Sequence, residues 1–498
     1  MFEKILIANR GEIAVRIMRT AREMGVKTVA VYADVDAKAL HVLTADEAVC
    51  LGESEPAQSY LNAEKIIDAA KQTSAQAIHP GYGFLAENPA FAQAVVDAGL
   101  VFIGPTAEVM AKLGDKTEAR RLMADSGVPI IPGMTSADDD PKRLAEQAEK
   151  IGYPILIKAA AGGGGKGMRV VDDPAQLAQS AKQAASEAKS AFGDGSIYLE
   201  KFLTRPRHVE FQIIADGHGN IVHLFERECS IQRRHQKIIE ETPSPALDEK
   251  LRKRMGEAAV AAAKAAGYVN AGTVEFLLDS TGEFYFLEVN TRLQVEHPIT
   301  EATTGLDLVR LQLEIAAGEK LTLKQKDIPR RGHAIECRIY AEDPAQQFMP
   351  SSGKILLYQE PAGPGVRLDS GIYQGFEVPV QYDPILGKLI VWAEDRGAAI
   401  ARMKRALSEC VILGVQTPIE YMIDVLTSTA FAEGATHTGF LEEHFTDWQP
   451  DQEADTAAVI GAALHEMIAP KVQTAATTEQ TGVPSPWQTL GRWDMGES

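Results

Sequence analysis

Apolar runs of strand length alternate with amphipathic stretches over roughly the first 110 residues. Lys4–Ala8 is a short apolar run, Glu12–Met24 repeats its apolar positions at helical spacing, and Thr28–Tyr32 is a second apolar run. Glu64–Thr73 and Phe91–Ala98 carry the helical pattern again, with the strand-like Ala77–His79 between them. This alternation predicts a parallel sheet covered by helices. The turn Asn9-Arg10-Gly11-Glu12 joins the first strand to the first helix. It fits an anion held at the helix N-terminus and equally a plain tight turn, and it is not the GxGxxG of a dinucleotide site.

Further along, the period changes. Pro154–Ala160 and Arg169–Val171 read as strands joined by Ala161-Gly162-Gly163-Gly164-Gly165-Lys166-Gly167-Met168. Consecutive glycines let backbone N–H groups approach a polyphosphate, and Lys158 and Lys166 favour that reading over a bare hairpin tip. Ile197–Phe202 is a strand carrying Glu200 and Lys201, a pair able to read an adenine edge or to form a surface ion pair. Arg207–Gln212 alternates strictly, and Cys229–Lys237 is a basic segment that reads equally well as a solvated charged loop. In Thr273–Pro298 two β-branched and aromatic runs flank Thr281-Gly282, the signature of a two-residue hairpin turn. Pairing about that turn sets Asp279 against Phe284, Leu277 against Phe286 and Glu275 against Glu288. Directly opposed like charges are destabilising, so a positive group belongs between the two glutamates. Hard oxygen donors beside a phosphate site indicate Mg²⁺ or Mn²⁺. If the second strand stays extended, Glu288, Asn290, Arg292, Gln294 and Glu296 share one face, with Val289, Leu293 and Val295 facing the core.

Pro-bearing turns near Pro329 mark a boundary. Beyond it, strands at His333–Tyr340, Lys354–Tyr358 and Lys388–Trp392 followed by helices predict a third, α+β unit. The totals narrow the function. A chain of 498 residues suggests about three domains. A net charge of −19 argues against a nucleic-acid partner. No apolar run approaches the ~20 residues needed to span a bilayer, and MFEKILIANRGE reads as strand and turn rather than as a signal peptide. Cys50, Cys229, Cys337 and Cys410 show no metal-ligand spacing, which fits a reduced, cytoplasmic protein.

Seven runs taken together (Lys4–Ile17, His79–Asn88, Ala159–Arg169, Arg207–Gln212, Glu226–Glu241, Glu283–Pro298 and Arg338–Pro344) closely resemble the biotin carboxylase component of biotin-dependent carboxylases, in the ATP-grasp superfamily. The resemblance covers about residues 2–445. It implies an α/β and α+β multidomain fold: a Rossmann-like N-terminal domain (1–113), an ATP-grasp domain (114–328) with a mobile lid at about 131–203, and a C-terminal α+β biotin carboxylase domain (329–447). A mobile tail or the start of a linking domain (448–498) would follow. By the same resemblance Lys116, Lys158, Gly163, Gly164, Gly165, Glu200, Lys201, Leu203, His208, Gln232, His235, Leu277 and Glu288 would bind ATP. Glu275, Glu288 and Asn290 would hold Mg²⁺ or Mn²⁺. Lys237, Arg292, Gln294 and Val295 would bind bicarbonate, and Tyr82 and Arg338 would lie beside biotin.

The implied reaction is carboxylation of the biotin ureido nitrogen through carboxyphosphate. Glu296 would be the base, Arg292 the anchor for bicarbonate and phosphate, and Arg338 the group facing the biotin enolate. Cys229 reads as packing rather than as a base. Biotin would arrive on a separate carrier protein or domain, because the chain has no Met-Lys-Met-type acceptor. A carboxyltransferase subunit would be the other partner, and a homodimer through the first and third domains, near Arg19, Glu23 and Arg367, is implied. The C-terminal SPWQTLGRWDMGES resembles the entry to the linking domain of acyl-CoA carboxylase α-chains (acetyl-, propionyl- or methylcrotonyl-type) and suggests a longer parent or a truncated relative. The reaction expected is the first half-reaction of an acyl-CoA carboxylase of acetyl- or propionyl-CoA type, with the final acceptor chosen by the transferase. The alternatives are the biotin carboxylase subunit of a two-subunit pyruvate carboxylase and another ATP-grasp acyl-phosphate ligase.

Overall fold

The alternating N-terminal stretch folds as a five-stranded parallel sheet: β1 (Lys4–Ile7), β2 (Lys27–Ala33), β3 (Glu47–Gly52), β4 (Ala77–His79) and β5 (Val101–Phe102), in the order β3-β2-β1-β4-β5. The protein is described here by a computed structural model, which covers residues 1–451 and 464 apart from 135, 139 and 160–167. Every residue of β1 beyond Lys4 is buried because both faces of the sheet are covered. Ile5 and Ile7 pack with Ile13 and Ile17 of the helix Gly11–Glu23. Leu6 packs on the other face with Ile66 of Ala63–Gln72 and Phe91 of Pro89–Asp97. Those two helices start where Asn62 and Asn88 accept from Lys65 N and Phe91 N, and Pro89 follows the second cap. The turn between β1 and the first helix is packed by protein. Gly11 has φ +66°, Asn9 donates to the carbonyls of Pro80 and Tyr82, and the backbone of Gly371 lies so close that a Cβ there would sit 2.6 Å from Glu12 N. Of the two readings of this turn, the packed tight turn is the one observed.

A three-stranded antiparallel sheet follows: β6 (Ile155–Ala159), β7 (Arg169–Val171) and β8 (Ile197–Lys201), in the order β7-β6-β8, backed by the helices Pro141–Ile151 and Leu177–Phe192. Gly163, Gly164, Gly165 and Lys166, between β6 and β7, lie outside the described residues. So does the tail SPWQTLGRWDMGES.

The largest element is an eight-stranded sheet built from β9 (Arg207–Ala215), β10 (Ile221–Arg233), β11 (Gln236–Thr242), β12 (Asn270–Leu278), β13 (Phe284–Asn290), β14 (His333–Tyr340), β15 (Val366–Ser370) and β16 (Ile385–Ala393). Its order is β13-β12-β9-β10-β11-β14-β16-β15, and the neighbours are antiparallel. The β11–β14 pairing carries the sheet across the boundary read near Pro329. On β9 the two-residue period sends Val209, Phe211 and Ile213 into an apolar core with the helix Glu249–Ala266. His208, Glu210 and Gln212 go to the opposite face. Cys229–Lys237 is not a solvated loop. It is the β10–β11 hairpin, turning at Arg234-His235, both in the left-handed region, with Gln232 opposite Lys237. The Lys354–Tyr358 run divides into Gly353–Lys354 and Leu357–Gln359, which pair with different partners. No helix of the described residues is long and apolar enough to cross a membrane.

Candidate active site

The β12–β13 hairpin opposes Glu275 and Glu288 as its sequence pattern requires, although the route to that register differs. The loop holds three residues, Ser280 to Gly282, closed by Asp279 N to Glu283 O at 2.9 Å. Leu278 therefore faces Phe284, and Leu277 faces Tyr285 rather than Phe286. A bulge between Glu275 and Phe276 shifts the register back by one. The two displacements cancel, so the carboxylates still meet.

The two glutamates then part. Glu275 is buried. Its Oε1 accepts from Lys237 Nζ at 2.9 Å and Gln294 Nε2 at 3.1 Å, and its Oε2 lies 3.0 Å from His208 Nε2. Burial would raise this carboxyl, but Lys237 and His208 outweigh it and hold it well below the usual range. Glu288 stays accessible to solvent within a cleft and makes no hydrogen bond to the described residues. Enclosure and the Glu275 charge push its carboxyl up.

Lys237 is the centre of the buried layer. Its ammonium lies 2.6 Å from Glu210, 2.9 Å from Glu275 and 2.7 Å from Glu296. Burial opposes its charge, yet the three carboxylates keep it firmly protonated. The second oxygen of Glu296 accepts from Arg338 Nη2 at 2.9 Å, and Arg338 Nε reaches Glu240 at 2.6 Å. Glu296 is fully buried, and Lys237, Arg338 and Arg227 overcome burial to hold it ionised. Cys229 Sγ lies 3.8 Å from Glu296 Oε1, and burial keeps it a neutral thiol. Arg227, fully buried, clamps the layer together by donating to Glu210, Gln212, Thr273 and Thr300.

The chain does not stay extended beyond Asn290. It leaves β13 there, and Glu296 directly precedes the helix His297–Thr304. Val289, Leu293 and Val295 are nonetheless buried. Arg292 reaches back to Glu87 Oε2 at 2.9 Å and also touches Gln294 and Asn290, each at 3.2 Å. Tyr82 hydrogen-bonds Glu12, and the Lys388 ammonium lies 5.8 Å from its ring centroid. Lys388 is in turn the cross-strand partner of Arg338.

Alongside lies a cleft of about 250 Å³, lined by Lys116, Lys158, Glu200, Glu288 and Asn290 among others. Asp115 caps the helix Lys116–Asp125 and sets Lys116 at its first turn. Glu200 pairs with Lys158 and with Arg120, each at 2.5 Å. Lys201 does not enter this cleft. The strand period turns it to the other face, where it donates to the carbonyls of Gly152 and Tyr153. Leu203, His208, Gln232, His235 and Leu277 also lie away from its lining. His208 and Gln232 belong to the buried layer, His235 is exposed in the hairpin turn, and Leu203 and Leu277 are half-buried. Sequence reasoning passed over Glu210, Arg227, Glu240, Lys388 and Arg120. Glu210 had a signal, an acidic residue between the apolar Val209 and Phe211 in a strand, whereas Glu240 is masked by its neighbour Glu241 and Arg120 sits on an ordinary helix face.

The oxygen donors suit a hard cation. Glu275 and Glu288 are opposed, Asn290 follows on the same hairpin, and the unbonded Glu288 carboxylate faces the cleft.

Family models match three consecutive stretches: "Biotin carboxylase, N-terminal domain" over residues 1–110, "Carbamoyl-phosphate synthase L chain, ATP binding domain" over 115–324, and "Biotin carboxylase C-terminal domain" over 336–443. A pyruvate carboxylase subunit of Methanothermobacter thermautotrophicus is 55% identical, covering 89% of this chain and 90% of its own length. The alpha subunit of the mitochondrial methylcrotonoyl-CoA carboxylase of Rattus norvegicus is 49% identical over 95% of this chain, which spans 66% of that relative. Among solved structures, the biotin carboxylase domain dimer of Hydrogenobacter thermophilus 2-oxoglutarate carboxylase, in complex with MgADP, ADP and bicarbonate, superposes with a TM-score of 0.86. It is 46% identical and covers 91% of this chain and all of that one.

Proposed function

This chain belongs to the biotin carboxylase family and is an ATP-dependent ligase that carboxylates biotin; we propose that it performs the first half-reaction of an acyl-CoA carboxylase, of acetyl- or propionyl-CoA type, on biotin borne by a carrier protein. The observation that carries the mechanism is the Lys237 junction, where one ammonium joins Glu210, Glu275 and Glu296 while Arg338 takes the other oxygen of Glu296.

ATP occupies the cleft, with Lys116, Lys158 and the glycine-rich loop on its phosphates and Glu200 toward its base. Glu275, Glu288 and Asn290 would hold Mg²⁺ or Mn²⁺, which neutralises phosphate charge when bound. Bicarbonate sits between Arg292, Gln294, Val295 and Lys237. As the Lys237 ammonium turns toward the incoming anion, its hold on Glu296 loosens, and the Glu296 carboxylate becomes basic enough to take the bicarbonate proton. The deprotonated oxygen then forms a bond to the γ-phosphorus, the bond from that phosphorus to the β-bridging oxygen breaks, and ADP leaves. The resulting carboxyphosphate yields CO₂ and phosphate, the phosphate takes the ureido proton of biotin, and the freed nitrogen forms its bond to the CO₂ carbon. Arg338 faces the biotin oxygen and Tyr82 lies beside the ring.

The acyl-CoA reading is supported by the methylcrotonoyl-CoA relative, whose similarity extends over 95% of this chain. A two-subunit pyruvate carboxylase is the second reading, favoured by the 55% identity to the pyruvate carboxylase relative. The carrier, a carboxyltransferase, a homodimer and a cytoplasmic setting complete the proposal. ADP release with ATP, Mg²⁺ and bicarbonate, measured with and without free biotin, tests it. Biotin stimulation that vanishes without bicarbonate is the expected result, and turnover indifferent to biotin or its carrier would point to a different acyl-phosphate ligase.

A further inference from the structure

Behind Arg338 the sheet buries a second pair of carboxylates that the reaction above does not use. Glu240 on β11 and Glu336 on β14 are direct cross-strand partners, and both are fully buried. Partners in that position hold their Cβ atoms only ~4.5–5.5 Å apart. Glu240 Oε1 accepts from Arg338 Nε, but its Oε2 and both oxygens of Glu336 have no hydrogen-bond partner among the described residues. On the far side of Glu336 the next strand offers only Ile390. The nearest cation there, Lys388, donates to the Val295 carbonyl at 2.8 Å and lies 3.4 Å from Glu12. Two ionised carboxylates cannot sit side by side in such a place, because an unpaired buried charge neutralises itself by taking up a proton. Arg338 keeps Glu240 as the anion of the pair. The proton therefore resides on Glu336, and the free Glu240 oxygen is the acceptor across the strand.

We propose that Glu336 is carried as a neutral carboxylic acid sharing one proton with Glu240, and that this dyad is a positioning device for Arg338. The assignment of what Arg338 serves rests on the reading of Glu296 as the base. Arg338 bridges Glu240 and Glu296. When Glu296 takes the bicarbonate proton, its charge is lost, and Glu240 remains as the anion that keeps the guanidinium in place. A second negative charge at Glu336 would compete with Glu296 for Arg338, and the shared proton prevents that. The ionisable groups that act on the pair are Arg338 on its own strand, Lys388 on β16, Lys237 on β11 and Glu296 at the head of the helix His297–Thr304, with the thiols of Cys337 on β14 and Cys229 on β10 beside them. Burial pushes Glu240 up to about 7 despite Arg338, and burial also holds Glu336 well above the usual carboxylate range, so the single proton belongs to the pair.

Infrared spectroscopy of the full chain at neutral pH, with glutamate isotopically labelled at the side-chain carboxyl, reads the proton directly. A carbonyl stretch of a protonated, non-exchanging carboxylic acid is expected in the unmodified protein, lost in Glu336→Gln and shifted in Glu240→Gln. No such band in the unmodified protein would overturn the dyad, and that result needs no variant to fold. Biotin-dependent ADP release is followed over pH in the same preparations. Its alkaline limb, where the dyad loses its proton, should move in Glu336→Gln by more than tenfold in proton concentration. An acid band without biotin-dependent turnover overturns the biotin reading and leaves the dyad standing, whereas turnover without the band overturns the dyad.

Discussion

Lys237 Nζ lies 2.7 Å from Glu296 Oε1 in a layer closed to solvent. One ammonium thereby ties the residue heading the helix His297–Thr304 to the strands that carry Glu210 and Glu275. Replacing Lys237 with Gln leaves three carboxylates facing one another without their cation. Breaking a buried ionic arrangement from one side typically costs ~3–5 kcal/mol. Glu296 would also hold its proton more tightly. Lys237→Gln should lower chemical stability by an amount of that order and reduce turnover by ~10²-fold or more. Arginine should not rescue it, since its planar fork cannot take the place of a compact ammonium among three acceptors. Denaturant titration together with ADP release checks both parts.

Glu296 does not line the nucleotide cleft, whereas Glu200 does. Glu296→Gln should therefore cut turnover ~10²-fold while nucleotide affinity stays within a few-fold. Glu200→Gln releases Lys158 and Arg120 from a carboxylate that pairs both at 2.5 Å, and it should weaken nucleotide binding first. Calorimetric titration with a non-hydrolysable ATP analogue separates the two. Equal loss of affinity in both variants would contradict the separation.

Cys50 is exposed, whereas Cys229, Cys337 and Cys410 are buried. A thiol reagent should modify Cys50 in the native protein, and the other three cysteines only after unfolding. Burial holds the Cys229 thiol far above its ordinary value, so it carries no thiolate near neutrality. Cys229→Ala should keep turnover within a few-fold. A hundredfold loss would give this sulfur a part in proton transfer.

His41, His79 and His223 are each held down to about 4 by burial, below the ordinary 6.5. A folded-state value below the unfolded one means that the unfolded chain binds more protons between pH 6.5 and 4. Their contribution to stability is thus complete above pH 6.5 and is lost as the pH falls toward 4. At pH 5 each such imidazole costs about 2 kcal/mol. Denaturant midpoints should fall between pH 7 and pH 5 with a slope that His41→Gln reduces.

Three strands of the first sheet and the helices Gly11–Glu23, Ala63–Gln72 and Pro89–Asp97 were readable to within about two residues from their periods, whereas β3 and β5 were not read, because β3 is largely exposed and β5 is only two residues long. The meeting of Glu275 and Glu288 was readable for a weaker reason: a longer loop and a compensating bulge restored a register that the turn alone had misplaced. Lys201 was misplaced because two adjacent residues were read together, although the strand period sends them to opposite faces. The union of β11 with β14 joins residues almost a hundred positions apart, and such pairing leaves no trace in local pattern. The same holds for Arg120 on Glu200 and for Lys388 beside Arg338. The departure from extended chain after Asn290 was hidden because Val289, Leu293 and Val295 are buried in either conformation.

The most direct test of the account is transfer of isotopically labelled bicarbonate carbon to free biotin in the presence of ATP and Mg²⁺. The prediction is acid-labile label on biotin that requires ATP and is lost in Glu296→Gln. ADP released with bicarbonate while biotin stays unlabelled, on free biotin and on a biotinylated carrier alike, would contradict it.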